Sequence, residues 1–437
     1  MPPLYSTRDG HSSLKHHKID HEPHWAFPRV WAAFLLILIA VTFRLWVVQV
    51  DVPPVAMFFW AIPPRPWIGW LPLVAIVLSA GMIALDPIRF RIAWWFVAVG
   101  LIASFLIDQH RLQPWAYQTA IYATVFASTR PNAAKKWLIP LAASVYIYSA
   151  LGKLDYQFVH TVGQDFLDVI LRPLGMSDSL DVVTRHRLAC LFPLTELVVG
   201  ALLLLKSTRR WAGLLVMGLH GSLLLILGPL GLHHSLGVLT WNLALMVQAW
   251  FLFVRGHSDQ RDDNRVLYRS LFRLSLRHQS DPSRRLGPGR MIAMGTIVVA
   301  LIAPATERAG LWDHWPSWAL YSPHNSRVVV EIHQSAVSQL PPLVQSHVRP
   351  NQDGDQWQRL ALDRWSLEAL AVPVYPQARY QLALSYTLAE RSGIATTAIR
   401  ARVLGVSNRM TGERSERWLL GTMEMREALE DYWLVGM

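Results

Sequence analysis

The stretch LIPLAASVYIYSALGKLDYQF, residues 138–158, joins two features that conflict in a lipid bilayer. It begins as an apolar run of the kind that crosses a membrane, and the run ends at Lys153, close to Asp155. A charged side chain at the bilayer centre costs at least ~2.5 kcal/mol on insertion scales. Lys153 is therefore either an interfacial anchor whose ammonium reaches water or part of a functional site.

The composition of the whole chain indicates a membrane protein. Of its 437 residues, 52% are hydrophobic and only 16% are charged, whereas about 25% of the residues of a soluble domain are charged. The basic residues behind the net charge of +11 lie mostly in short loops between apolar runs. That pattern encodes membrane topology and does not indicate nucleic-acid binding. Cys190 is the single cysteine, which excludes an intrachain disulfide.

The apolar runs predict an all-α polytopic membrane helix bundle with about nine spans. The predicted spans cover residues 30–50, 67–85, 92–106, 115–128, 137–151, 188–205, 211–230, 236–254 and 291–305. Several are shorter than the ~20 residues that an upright membrane helix needs. Lys and Arg are concentrated in alternate connections, which predicts a multi-pass protein of the inner (plasma) membrane with a cytoplasmic N-terminus.

The same pattern divides the chain into five predicted parts. These are a polar, histidine-rich cytoplasmic tail at 1–29, the helix bundle at 30–254, a basic amphipathic cytoplasmic loop at 255–290, a last transmembrane helix at 291–305, and an extracytoplasmic α+β domain at 306–437. In the last part, RVVVEIH at 327–333 predicts a strand. Residues 399–420 predict strand, turn and strand, with NRMTGE at 408–413 as the turn.

Polar side chains in the middle of apolar runs are the first candidates for a site. Glu196 and His220 lie within two successive predicted spans, and Asn242 lies on the next. Because such groups are expensive in lipid, they need partners. We predict that Glu196 and His220 form a buried polar pair. The alternative is that each of them only holds helices together.

Lys153 is the candidate base. It lies on the side of the membrane that is poor in positive charge, and it follows the small residues of the stretch 149–152. A lysine partly desolvated among tyrosines has a lowered pKa and can act as a base, although Asp155 opposes that shift. We predict that Tyr148, Gly152, Asp155 and Asn242 line a substrate pocket, and we predict no metal site.

These residues, taken in order, resemble the vitamin K-dependent gamma-carboxylase-like superfamily and its bacterial HTTM (horizontally transferred transmembrane) relatives. The resemblance covers roughly residues 100–254. It rests on a span that ends in Tyr, small residues and Lys-Leu, a span with a central Glu, a basic loop, and a span with a central His. The matching residues here are Tyr148, Lys153, Leu154, Glu196, Arg209, Arg210 and His220. The related DoxX/MauE-type membrane proteins share a similar four-helix core, and membership of that group is the alternative assignment.

The resemblance implies a chemistry as well as a fold. It implies that Lys153 deprotonates a reduced quinone of the vitamin K type, assisted by a histidine on an earlier outer loop, for which His110 is the candidate. The chain lacks the carboxylases' extended propeptide- and glutamate-recognition regions, which disfavours carboxylation of a protein glutamate.

Two functions remain open from the sequence. One is a quinol-linked membrane enzyme that acts on a lipophilic small molecule. The other is a non-catalytic scaffold or accessory subunit whose C-terminal domain binds an extracytoplasmic protein partner. A transporter is disfavoured because the chain has no repeated halves.

Overall fold

The computed structural model describes residues 26–49, 51–58, 67–177, 179–255, 287–351, 354–432 and 434. Helices make up most of this part of the chain, and a small antiparallel sheet lies near its C-terminal end. The predicted tail up to residue 25 and the predicted basic loop at 256–286 lie outside the described residues.

The part before the sheet consists mainly of helices. In chain order they are α1 Ala26–Val41, α2 Phe43–Trp46, α3 Trp70–Leu85, α4 Ala93–Ile107, α5 Pro114–Ser128, α6 Pro131–Lys153, α7 Tyr156–His160, α8 Val162–Leu171, α9 Val182–Leu204, α10 Arg209–Leu227, α11 Leu236–Ala249 and α12 Pro288–Ile302. A π-helical turn, Trp250–Val254, continues α11, and a 3₁₀ turn, Ala303–Ala309, continues α12.

Four of these helices are long and apolar enough to cross a membrane, which makes the chain a membrane protein. Within the described residues they are α9, α10, Leu236–Val254 and Pro288–Ala309. The pair Ala133–Lys153 and Tyr156–Leu174, bent by 73°, counts as a fifth if it forms one broken span.

The prediction of nine spans is not supported. Helices α1, α3 and α4 have 16, 16 and 15 residues. At 1.5 Å per residue they are about 22–24 Å long, which is short of the ~30 Å hydrocarbon core. Helix α5 is also short, and nearly every one of its side chains is buried within the bundle.

Helix α5 is held to α11 by neutral polar side chains. Gln118 Nε2 and the Tyr122 hydroxyl both donate to Gln248 Oε1, at 3.0 and 2.9 Å. Trp241 Nε1 donates to Gln118 Oε1 at 3.0 Å. Each of these bonds satisfies a polar group that lipid could not satisfy, which explains why uncharged amides are tolerated here.

Helices α6 and α9 pack closely because Gly200 has no side chain. A Cβ at Gly200 would lie 2.8 Å from Ile147 Cγ1 and 3.2 Å from the Tyr146 Cβ. Small residues at such crossings let two membrane helices approach each other. This close approach sets the distance across which side chains of α6 and α9 meet.

The C-terminal part is an antiparallel sheet flanked by helices, in the strand order β2-β3-β1-β4-β5. The strands are β1 Arg327–His333, β2 Val348–Pro350, β3 Trp357–Leu360, β4 Ile399–Leu404 and β5 Glu416–Leu420, and the helices are α13 Pro342–Gln345, α14 Leu362–Leu370, α15 Ala378–Ser392 and α16 Thr422–Glu430. In the centre, Val330 of β1 pairs with Leu360 on one side and Ala401 on the other. The predicted strands at 327–333 and within 399–420 are confirmed.

The turn between β4 and β5 docks on the end of α6. The Tyr156 N–H donates to the Arg409 carbonyl at 2.8 Å, and the Arg409 guanidinium donates to the Leu151 carbonyl at 3.0 Å. Gly412 has φ +74°, and a Cβ there would collide with the Tyr156 ring. The break between α6 and α7 is thus covered directly by the C-terminal domain.

Replacing Gly200 tests the packing of α6 on α9. We expect Gly200→Ala to lower stability by about 1–3 kcal/mol, because the added methyl overpacks the crossing. The matched control is Gly218→Ala on α10, where a Cβ meets no atom within 4 Å. Thermal unfolding in one detergent measures both, and equal midpoints for the two variants would contradict the packing.

Candidate functional site

Lys153 ends α6 with its ammonium buried rather than exposed to water. The residue is only 2% exposed. Its Nζ donates to the Glu196 carboxylate oxygens at 2.9 and 2.7 Å, and to Ser149 Oγ at 2.6 Å. An ammonium has three protons to donate, and all three find acceptors here. Lys153 is therefore an ion-pair partner and not an interfacial anchor.

A second polar group lies on the same face of α6. Tyr146 is seven residues before Lys153, two helical turns away on the same side. Its hydroxyl lies 2.9 Å from His220 Nε2, and His220 Nδ1 lies 2.9 Å from Asn242 Oδ1. Because the amide oxygen only accepts, Nδ1 carries the proton and Nε2 accepts from the tyrosine. A neutral imidazole with its proton on Nδ1 satisfies both contacts.

The predicted direct pair of Glu196 and His220 is corrected by these contacts. Glu196 of α9 pairs with Lys153, whereas His220 of α10 binds Tyr146 and Asn242. The reason is that α6 presents a donor to each of the two helices. Glu196 and His220 do not bond each other. Both belong to one polar row along α6, which consists of Lys153 and Tyr146 of α6 with their partners Glu196, His220 and Asn242.

The other predicted pocket residues have separate roles. The Tyr148 hydroxyl donates to the Leu301 carbonyl of α12 at 2.7 Å. Asp155 accepts from the Gln157 N–H at 2.8 Å, which caps α7, and from the Arg308 guanidinium at 2.7 Å. Both residues therefore fix neighbouring segments and do not contact the Lys153 ammonium.

His110 is buried against the C-terminal domain and not against Lys153. Its Nε2 donates to the Pro373 carbonyl at 2.9 Å, and its ring packs on Tyr380 with centroids 5.2 Å apart. Burial lowers the pKa of His110, an effect that the Asp108 carboxylate partly opposes. Among the described residues the contacts of His110 with other parts of the chain are to this domain, so the geometry does not unite it with the lysine.

A cavity of about 750 Å³ lies between the helix bundle and the C-terminal domain. Its wall includes Gln113, Trp115, His234, Trp241, His314 and Trp315. Ser322 also lines it, and a Cβ on Gly152 would lie 2.7 Å from Ser322 Oγ. The end of α6 therefore stands directly behind the cavity wall, with Lys153 one residue further on.

Tyr321 lies in the cavity wall, near enough to the ion pair to be affected by the charge of Glu196. It lines the cavity, burial raises the pKa of its phenol, and the nearby Glu196 carboxylate raises that pKa further. Tyr321 and Trp318 have φ angles of 56° and 60°. Positive φ is unusual for bulky residues, and such strain gathers at functional sites.

One buried network was missed by sequence reasoning. Arg379 NH1 and the Tyr375 hydroxyl each donate to the Asp313 carboxylate at 2.6 Å. Arg379 NH2 also donates to Gln109 Oε1 at 3.0 Å, which ties the domain to the bundle. These residues are far apart in the chain and follow no spacing, so no sequence signal pointed to them.

Comparisons with protein-family models, curated proteins and solved structures give no match for this chain. The geometry of the ion pair, the polar row and the cavity is therefore the basis for a function.

Neutralising Glu196 alone is expected to destabilise the folded protein strongly. Glu196→Gln leaves the Lys153 ammonium buried without its counter-charge, which costs roughly 3–5 kcal/mol. The matched control is Asp168→Asn, which removes the charge from a partly exposed pair with Arg185 and costs at most about 1 kcal/mol. Thermal unfolding and the yield of monodisperse protein measure the difference between the two variants. If both variants lost a similar amount of stability, a strongly stabilising buried pair would be excluded.

Acidification is expected to weaken the contact at His110. Its pKa lies below the ordinary 6.5 in the folded chain, so its contribution to stability is complete above that value and is lost as the pH falls below it. We expect His110→Gln, which can still donate to Pro373, to show a smaller drop in unfolding temperature than wild type between about pH 7.5 and 5.5. If the unfolding temperature fell equally in wild type and His110→Gln, protonation of His110 would not be the cause of the loss.

Proposed function

We propose that this chain is an integral membrane enzyme that binds a lipophilic, quinol-like substrate and takes up its proton at the Lys153–Glu196 pair. The observation that carries the proposal is the buried ion pair directly behind the wall of the cavity. Ionisable groups at membrane depth are rare and mark proton or substrate paths.

The pair supports proton uptake as a unit. With all three of its protons engaged, Lys153 stands as an ammonium. The group that can then receive a proton is the Glu196 carboxylate, and the pair as a whole shares it. Lys153 holds and orients that carboxylate, which modifies the simpler idea of a free lysine base. Tyr321 lines the cavity, and the charge of Glu196 raises the pKa of its phenol.

The cavity suits an aromatic, lipophilic ligand. Its volume falls within the ~300–1,000 Å³ typical of small-molecule sites. Trp115 and Trp241 offer ring faces for stacking, while Gln113 and His234 offer polar atoms that fix orientation. A bound quinol would supply an ionisable hydroxyl and the electrons for a redox step. The residues of this chain bind it, exclude water and accept its proton.

The sequence resemblance to the gamma-carboxylase-like and HTTM proteins supports the same assignment, since it places a lysine, a glutamate and a histidine at these positions. The charge pattern supports an inner-membrane protein with a cytoplasmic N-terminus. With the bent pair Ala133–Lys153 and Tyr156–Leu174 as a fifth span, a cytoplasmic N-terminus places the cavity and the C-terminal domain at the outer face.

A non-catalytic scaffold is the second candidate. The observation that favours it is that Lys153, Glu196 and Ser149 satisfy one another completely. A buried pair of this kind can simply fix the register of α6 against α9. In that case the C-terminal domain serves to bind an extracytoplasmic protein partner.

The deciding experiment compares quinol binding with folding. Menadiol is titrated into the purified chain under reducing conditions, and quenching of the tryptophan fluorescence reports binding near Trp115 and Trp241. We expect Lys153→Met combined with Glu196→Gln, which removes both charges together, to stay folded and to bind at least ~10-fold more weakly. Asp168→Asn should bind like wild type.

The scaffold predicts the opposite pattern. If the double variant loses folded protein while the folded remainder quenches like wild type, the pair is structural. If wild type shows no saturable quenching at all, the quinol proposal fails.

A further inference from the structure

Three side chains of metal-ligating type converge where the last membrane helix meets the C-terminal domain. Glu307 lies in the turn Ala303–Ala309, His314 lies in the connection after it, and His324 lies just before β1. Glu307 Oε1 lies 2.9 Å from His314 Nδ1 and 3.1 Å from His324 Nε2. The ligand atoms of the three residues all lie within 4.8 Å of one another.

We propose that Glu307, His314 and His324 bind one divalent transition-metal ion, with Zn²⁺ as the expected occupant. Two imidazole nitrogens and one carboxylate oxygen are the donors of three-ligand zinc sites that keep a fourth position open. In tetrahedral zinc with bonds of ~2.0–2.1 Å, ligand atoms lie roughly 3.3 Å apart. The two carboxylate-to-imidazole spacings of 2.9–3.1 Å are close to that value, and the ring nitrogens of the two histidines, within 4.8 Å of each other, move closer together when the ion binds.

The three side chains are held ready by burial. Those of His314 and His324 are 3% and 0% exposed, and that of Glu307 is 10% exposed. Among the described residues, His324 Nδ1 is buried without a hydrogen-bond partner. Without a metal, Nε2–H donates to the Glu307 carboxylate, which only accepts. A bound metal ion would take the place of that proton, which would move to the unpartnered Nδ1 or to solvent.

The charges around the cluster are mixed, because the Arg308 guanidinium acts on His324 and the Arg409 guanidinium interacts with Glu307. Arg308, next to Glu307 in the chain, is paired with Asp155 at 2.7 Å. Arg409 donates to the Leu151 carbonyl at 3.0 Å and so points toward the end of α6. The Glu307 carboxylate then offsets one of the two positive charges of the ion.

The cluster also has room for an additional ligand. His314 lines the cavity of about 750 Å³, and Glu307 lines a second cavity of about 620 Å³ that extends along α4 and α5. Water or a small exogenous ligand can approach from either cavity. The site stands on these contacts alone and does not depend on quinol binding.

No sequence pattern indicated this site. The spacing Glu-x₆-His-x₉-His matches none of the short zinc patterns, and Glu307 follows an apolar span as one more polar residue. The earlier expectation of no metal site came from that lack of pattern. The bend of the connection after α12 is what brings the three residues together.

The test measures zinc on the full chain in detergent. In every sample His11, His16, His17, His21 and His24 are changed to Ala, so that the histidine-rich tail contributes nothing. After EDTA treatment, re-equilibration with Zn²⁺ and desalting, mass spectrometry of the metal should find about one zinc per chain. We expect Glu307→Gln and His314→Ala each to weaken zinc binding by at least ~10-fold.

His333→Ala is the matched control, because it removes an imidazole of β1 that bonds Ser335 and Gln356 outside the cluster. It should retain zinc. Zinc, but not magnesium, should also raise the unfolding temperature of the parent protein. This measurement does not depend on whether the ligand variants fold. A parent without zinc, or ligand variants that retain it like His333→Ala, would overturn the proposal.

Discussion

The buried ion pair of Lys153 and Glu196 is the constraint on which the rest of the bundle depends. Neither charge is tolerable alone in an apolar setting, so α6 and α9 have to meet at one register. Gly200 permits that meeting by letting the two helices approach closely. On the same face of α6, Tyr146 then contacts His220 of α10, which in turn contacts Asn242 of α11. Together with the ion pair, these contacts form the polar row across α6, α9, α10 and α11.

The second constraint is the docking of the C-terminal domain on the bundle. Buried polar contacts hold it, through Arg379 to Gln109 and through His110 to Pro373. The cavity lies at this interface, and its wall includes Tyr321, one of the residues with a positive φ. The pocket thus lies between the helix bundle and the C-terminal domain, with the charged pair behind one wall.

Local features could be predicted from the sequence, and relations between distant residues could not. RVVVEIH became β1 with the predicted ends because β-branched alternation is a short-range signal. The number of spans was overestimated because apolar runs do not reveal where a helix breaks, as α1 does before α2. Glu196 was identified as needing a partner, but its choice of Lys153 over His220 depends on helix rotation. The cluster at Glu307 depends on a bend that no spacing encodes.

The docked turn at Arg409 and Gly412 has a consequence for the order of biosynthesis. The Leu151 carbonyl and the Tyr156 N–H at the end of α6 find their partners only in a segment made some 250 residues later. Until the sheet has folded and settled onto the helices, the end of α6 beside Lys153 remains open to water. In a nascent or truncated chain this end of α6 would therefore lack its partners, and docking of the C-terminal domain would be the last step of folding.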